Sequence, residues 1–146
     1  MESLAGWDGL GLAVQAYQKR AIPVIDWLAE RARALGRPWR VRLVKGAYWD
    51  FEIKRAQVEG HAGYPVFTRK MNTDVSYLAC ARCLLEHGEL FRPQFATHNA
   101  HTVAAVLALA RGRVFEFQRL HGMGADLYAE VLALGVPCRV YAPVGG

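Results

Sequence analysis

Short apolar runs alternate with stretches of helical spacing along the whole chain. Leu12 to Ala16 is a strand candidate, followed by a helix over Pro23 to Leu35 with Val24, Ile25, Leu28 and Ala32 on one face. Pro23 suits a first helical turn and Gly36 a C-terminal stop. Trp39 to Val44 is the next strand, and Asp50 to Glu59 a helix whose first turn holds Asp50 and Glu52, where the helix dipole favours acids. Gly60 ends it, and His61 to Lys70 reads as a loop. Asn72 or Thr73 is the expected cap of a helix running to about Glu86, stopped by His87-Gly88.

Gln94 to Thr97 is a third strand, and Asn99 caps a helix over Ala100 to Ala110 that Gly112 ends. Val114 to Phe117 is a fourth strand, the loop Leu120 to Gly124 leads to a helix over Ala125 to Leu134, and Cys138 to Tyr141 is a fifth strand before Gly145-Gly146. The order βαβα(α)βαβαβ implies an α/β protein with a parallel sheet and right-handed crossovers. Five strands cannot close a (βα)₈ barrel, which needs eight and typically ~250 residues. An open doubly wound sheet and a piece of a barrel both fit. Rossmann glycine spacing and a P-loop are absent after every strand, which weakens the nucleotide-binding version of the open sheet.

Composition narrows the class. The 146 residues are 53% apolar and 21% charged, which suits one globular domain, and no apolar run approaches the ~20 residues of a membrane span. Met1 to Gly11 lacks a signal-peptide pattern, so a cytoplasmic location is expected. Three cysteines provide no disulfide framework. The net charge of +5 is spread along the chain, densest over Arg31, Arg33, Arg37, Arg40 and Arg42. That distribution suits a phosphate-bearing small ligand better than nucleic acid.

The segment VRLVKGAYWD (41–50) is the most informative one. A buried parallel strand is normally a continuous apolar run. Here Arg42 and Lys45 interrupt it, and a glycine turn at Gly46 follows at the carboxyl end, where βα folds bind ligands. The other strand ends carry Gln15, Thr97-His98-Asn99, Glu116, Gln118, His121 and Tyr141. Hydrogen-bond donors, helix N-termini and the aromatic rings of Tyr48, Trp49 and Tyr141 fit a large, flat, phosphate-bearing cofactor. No nucleophile–base pair or metal triad emerges there, which favours chemistry carried by a cofactor.

Five motifs in order, VRLVKGAYWDFEIKRAQ, GYPVFTRKMNTDVSYLACA, FATHNAHT, FEFQRLHGMG and RVYAPVG, with QAYQKRA before them, resemble the proline dehydrogenase domain of the bifunctional proline-utilisation flavoenzymes (PutA). The resemblance runs from about Leu10 to Gly145. It implies a partial (βα)₈ TIM-like barrel, about strands four to eight, with residues 1–146 as an incomplete FAD-binding barrel domain. It also implies FAD-dependent oxidation of L-proline to 1-pyrroline-5-carboxylate, with quinone as the electron acceptor and an aldehyde dehydrogenase domain in the longer protein. The parent enzyme would be cytoplasmic and peripheral at the inner membrane. No nucleic-acid role is expected of this segment.

By the same resemblance, Arg42 is the catalytic residue, near the flavin N5. Gln15, Val44, Lys45, Gly46, Ala47, Trp49, Thr68, Arg69, Lys70, Thr97, His98, Asn99 and Gln118 join it in binding the cofactor. Ala47, Tyr48, Leu120 and Tyr141 line the proline side. Family elements before and after these strands complete the proline pocket. The isolated polypeptide is therefore expected to show little or no proline oxidation, since an open barrel leaves two unpaired edges. A flavin- or nucleotide-binding module without turnover, and a half-barrel that acts with a complementary chain, are the alternatives.

Plainer readings stand beside these. Arg42 could pair with Glu116, Tyr48 and Trp49 could pack under the following helix, and Arg69-Lys70 could be an exposed loop pair. Lys54 and Arg55 read as solvated. His98 and His101, spaced i, i+3, lack carboxylate or cysteine company, so no metal site is assigned. Cys80 and Cys83 form a C-x-x-C inside a helix rather than at its start, which reads as a packed face, and Cys138 reads as core.

Overall fold

The computed structural model describes residues 9–143. The terminal pair Gly145-Gly146 and most of the Met1 to Gly11 stretch lie outside them. Five strands, β1 (Gly11–Gln15), β2 (Trp39–Val44), β3 (Phe91–Ala96), β4 (Glu116–Leu120) and β5 (Cys138–Tyr141), alternate with helices α1 (Ala21–Leu35), α2 (Trp49–Val58), α3 (Lys70–Glu86), α4 (Ala100–Ala110) and α5 (Ala125–Ala133). All four pairings are parallel and the spatial order is β1-β2-β3-β4-β5. A doubly wound sheet reverses direction at a switch point. Here every crossover moves the same way, which is the winding of a barrel sector and settles the choice left open by the element pattern.

This winding divides the sheet into two faces. Val41, Leu43, Phe91, Phe95 and Phe117 are fully buried against the helix layer with Ile25, Leu28, Leu84, Val106 and Tyr128. Phe95, Phe115, Phe117 and Tyr128 form a run of tilted and edge-on rings with centroids 5.2–6.4 Å apart. The other face is polar. Ala13, Arg42, Gln94 and Glu116 are successive register partners from β1 to β4, so they form one row across the concave side. Among the described residues, no strand pairs with the outer edges of β1 and β5.

Glu116 is the centre of the polar face. Its carboxylate accepts from Gln94 Nε2 (2.8 Å), Gln118 Nε2 (2.9 Å), and Arg139 Nε and Nη2 (2.8 and 2.9 Å). The Arg139 hydrogen bond is the main cause that holds this carboxyl below the usual glutamate range, opposed by burial. A carboxylate with a depressed folded-state pKa stabilises the fold above its unfolded pKa, and this contribution is lost as pH falls through the folded value. Glu116→Gln is therefore expected to melt below the wild type at pH 7. The gap should close as pH drops below the ordinary carboxylate range; thermal melts across pH 2 to 7 check it, and a gap constant with pH would contradict it.

The bounds of β2 and β5 match the sequence pattern. The other strands differ. β3 starts at Phe91 rather than Gln94, because Pro93 reads as an interruption. In the sheet Pro93 pairs with Val41 on one side only; pairing with β4 begins at Gln94, so the missing N–H is tolerated. β4 spans Glu116–Leu120 rather than Val114 to Phe117, and Val114 is 82% exposed. α3 starts at Lys70 with Arg69 at its N-cap, so Asn72 and Thr73 lie inside the first turn and cap nothing. At the end of α4 it is Arg111, not Gly112, that takes the first left-handed position, φ 47°. Cys80 is core, whereas Cys138 is only partly buried. Among the described residues, no helix is long and apolar enough to cross a membrane.

Candidate functional site

The carboxyl ends of the strands surround an open cavity of about 660 Å³. That size falls within the roughly 300–1,000 Å³ of small-molecule sites. Twelve of the residues expected at the site line it: Gln15 from β1, Arg42 to Tyr48 without Leu43 from β2 and its turn, Lys70 from α3, Thr97, His98 and Asn99 after β3, and Tyr141 from β5. Ala13 and Ala96 join them. Nothing in their residue type signals a ligand; register places them there, Ala13 beside Arg42 and Ala96 beside Gln118.

The turn at Gly46 is built by close packing. A Cβ at Gly46 would lie 2.1 Å from Tyr17 Cδ2, and its φ of 156° is one that other residues rarely adopt. The turn is sewn to β1: Ala16 and Tyr17 donate to the carbonyls of Val44 and Lys45 (both 2.8 Å), and Ala47 N–H donates to Gln15 Oε1 (3.0 Å). The GYPVFTRK loop is fixed from the same place. Phe67 N–H donates to Tyr17 O (2.8 Å), Lys19 N–H to Pro65 O (3.0 Å), and Trp49 Nε1 to Phe67 O (2.9 Å).

Arg42 does not pair with Glu116. Gln94 stands between them in the register and its amide takes one Glu116 oxygen, while Arg139 takes both. The Arg42 guanidinium instead lies 4.5 Å from the centroid of the Tyr141 ring, a cation–π contact. Its Nε is buried and has no hydrogen-bond partner among the described residues. A buried donor of this kind is costly unless a ligand satisfies it.

Two further groups set the electrostatics. Lys45 and Lys70 Nζ donate to the two oxygens of Asp74, and these hydrogen bonds, Lys45 first, hold the Asp74 carboxyl below its usual range. Asp74 was not singled out from the sequence, since its partner Lys45 is 29 residues away. His98 Nε2 accepts from the Leu120 N–H at 2.9 Å, which places the imidazole proton on Nδ1. Burial, then Arg119, pushes the His98 pKa down, so the ring is neutral at pH 7.

Asn99 does what its position predicts. Its Oδ1 accepts from the Thr102 N–H (2.9 Å) and hydroxyl (3.1 Å), capping α4 beside the cavity. Tyr128 O–H donates to Thr97 O at 2.6 Å and anchors the same segment from α5. Asn99→Ala should cost about 1 kcal/mol, the usual worth of an N-cap, read by urea denaturation. A change under about 0.3 kcal/mol would show that the cap is redundant.

Five expected residues are not brought to the cavity. Trp49 anchors the loop, Thr68 and Arg69 are exposed at the start of α3, and Gln118 is buried below, donating to Glu116. Leu120 is behind His98, which takes its N–H. Tyr48 is 67% exposed and does not pack under α2. Arg55 is exposed and paired with Glu59 at 2.8 Å, as a solvated residue should be.

Comparison with known proteins places this geometry in context. The family model for proline dehydrogenase matches residues 1–146. The bifunctional protein PutA of Klebsiella aerogenes is 58% identical over 152 residues, covering 97% of this chain and 12% of that protein. The proline dehydrogenase of Deinococcus radiodurans is 31% identical over 145 residues, covering 96% of this chain and 41% of its own length. A solved variant of proline utilization A from Bradyrhizobium japonicum superimposes with a TM-score of 0.94 at 60% identity, over 99% of this chain and 15% of that one. The chain thus spans about an eighth of the length of the PutA relatives it matches.

Proposed function

Because this chain belongs to the proline dehydrogenase family, we propose that its cavity is the flavin-facing part of a site that oxidises L-proline to 1-pyrroline-5-carboxylate. The observation that carries this reading is the convergence of twelve expected residues on one cavity with an unsatisfied buried donor, Arg42 Nε, in its wall.

The residues fit FAD in kind. The cavity offers a flat apolar base in Ala13, Val44 and Ala96, side-chain donors and acceptors in Gln15, Thr97 and Asn99, and cations in Arg42, Lys45 and Lys70. Gly46 and Ala47 leave the turn backbone open to close approach. When bound, FAD supplies the two-electron acceptor, and a quinone takes the electrons onward. Arg42 supplies a fixed positive charge held by Tyr141, which stabilises negative charge developing in front of it. Neutral His98 offers its Nδ1–H as a donor without adding charge. Tyr48 and Tyr141 are the groups available to a small amino-acid substrate on the open side. Trp49, Gln118 and Leu120 act through the groups they hold, Phe67 O, Glu116 and His98, whereas Thr68 and Arg69 stay exposed beside the start of α3.

A second reading rests on the open edges of β1 and β5. In it, these strands hold the flavin, and turnover needs further strands that complete the ring. The visible spectrum of the purified chain with FAD, before and after excess proline, tests both. The expected result is a bound flavin spectrum that stays oxidised. Bleaching by proline would discard the second reading. Failure to perturb the flavin spectrum would remove the cavity assignment for the chain alone. Grafting residues 10–145 into the matching span of the Klebsiella aerogenes relative completes the test: proline should bleach the chimera, and a folded, flavin-loaded chimera that proline leaves yellow would contradict the proposal.

A further inference from the structure

A second group of chemically distinct ligands lies on the helix layer, and none of its members lines the cavity. Cys83 lies in the last turn of α3 and His87, four residues on, is its C-cap, where the His87 N–H donates to the Cys83 carbonyl at 3.1 Å. Asp26 projects from the second turn of α1, 57 residues earlier in the chain than Cys83. The three donor atoms lie within 4.8 Å of one another.

We propose that Asp26, Cys83 and His87 form a zinc-binding site that clamps α1 to α3, with the fourth position open to water. The spacing carries the argument. With Zn–S near 2.3 Å and Zn–N or Zn–O near 2.0 Å, a tetrahedral site separates S and O by about 3.5 Å and N and O by about 3.3 Å. Cys83 Sγ is 3.6 Å from Asp26 Oδ1, and His87 Nε2 is 3.4 Å from the same oxygen. Two of the three ligand-to-ligand distances are therefore already those of the bound site. The metal would displace the Cys83 thiol proton to solvent, with His87 binding through Nε2 and its ring proton on Nδ1, rather than rebuild the packing.

The ligand set selects the ion. A thiolate with an imidazole suits zinc and disfavours magnesium and calcium, which take oxygen ligands. One thiolate and one carboxylate balance the double charge. Without the ion the thiol keeps its proton: burial first, then the Asp26 carboxylate, pushes Cys83 up to about 12. The cation must displace that proton, and Asp26 then changes from opposing the thiolate charge to sharing the ion with it. The imidazole is held by its neighbour: His87 meets Phe91 edge to face, with centroids 5.6 Å apart and planes at 83°. Asp26 and His87 have 57% and 27% exposed side chains, so an ion can enter from solvent.

Cobalt(II) titration of the reduced, purified chain tests the site, because a thiolate ligand produces a charge-transfer band that carboxylates and imidazoles do not. We expect one cobalt per folded chain, a thiolate band that one equivalent of zinc removes, and a melting temperature that rises with zinc. Cys83→Ser should abolish the band. Asp26→Asn and His87→Gln should weaken zinc binding at least tenfold. Cys80→Ser and Cys138→Ser should leave the band in place. Absence of the band in folded protein, or a band that survives Cys83→Ser, overturns the proposal. Equal loss in Cys80→Ser or Cys138→Ser does so as well, since that is the behaviour of an unfolded chain binding metal through any thiol. Circular dichroism checks each fold; if Cys83→Ser unfolds, the His87→Gln affinity decides, and an unchanged affinity counts against the site.

Discussion

Gly46→Ala is expected to lower the melting temperature by roughly 10 °C and to abolish flavin binding, whereas Gly60→Ala should shift it far less. Both glycines have positive φ, 156° and 66°. The difference lies in what the added methyl meets. At Gly60 there is nothing within 4 Å. At Gly46 the methyl would sit 2.1 Å from Tyr17 Cδ2 and 2.5 Å from Cε2 and Cγ. Tyr17 is 2% exposed, so its ring has no open space to swing into, and its backbone N–H and C=O are tied to Lys45 and Phe67 at 2.8 Å, so the residue cannot shift as a whole. Overpacking of this kind costs about 1–3 kcal/mol, and the backbone conformation adds on the order of 1–2 kcal/mol. The sum is a large share of the 5–15 kcal/mol that holds a domain together. Relief of the clash moves the turn that carries Lys45 and Ala47 into the cavity, so flavin affinity falls with stability. Calorimetric melts and FAD titration of the two variants decide it. Equal melting temperatures for Gly46→Ala and Gly60→Ala would show that Tyr17 does not set the turn.

The same turn shows what sequence could and could not convey. A glycine after a charged strand was readable as a turn at the cavity mouth, and the backbone turns there. The tyrosine that demands the glycine is 29 positions earlier, just past the first strand candidate, where nothing local marks it. β2 and β5 were legible because their apolar runs are bounded by Gly, Pro or charge. β3 and β4 were not: Pro93 masks a strand start that only one-sided pairing permits, and exposed Val114 mimics a strand residue. At the site, the residues next to strand ends that the motif match named come together around one cavity. What the sequence pattern did not convey were pairings across the sheet and between helices. Arg139, not Arg42, takes Glu116, Asp74 is the partner of Lys45, and Cys83 meets Asp26 of another helix. Such contacts depend on register and helix rotation, which a period of 2 or 3.6 residues does not encode.

Arg42→Met is expected to slow proline-dependent flavin reduction by 10²- to 10³-fold in the grafted enzyme, the usual effect of deleting one preorganised electrostatic group, while FAD stays bound. The geometry separates the two roles. On the proposed reading, flavin retention would draw on the many other lining groups, among them Gln15, Lys45, Thr97 and Asn99, so losing one guanidinium should leave most of it intact. Lys45 and Lys70 share the single Asp74 carboxylate, and Arg139 is paired with both oxygens of Glu116, so none of these cations is free to take over the position of Arg42. Arg42 alone in this wall keeps a buried Nε without a partner, and its stacking on Tyr141 holds the cation in place through hydrogen-bond-free contact. Removing it should also shift the flavin reduction potential downward, since charge on the reduced ring loses its stabiliser. Arg42→Lys should fall between the two, because an ammonium restores the charge but not the planar stack. Stopped-flow reduction and a potentiometric titration on the same samples provide both readouts. A purely structural Arg42 would lower stability and flavin occupancy together and leave the potential of the remaining bound flavin unmoved; that pattern would remove it from the chemistry.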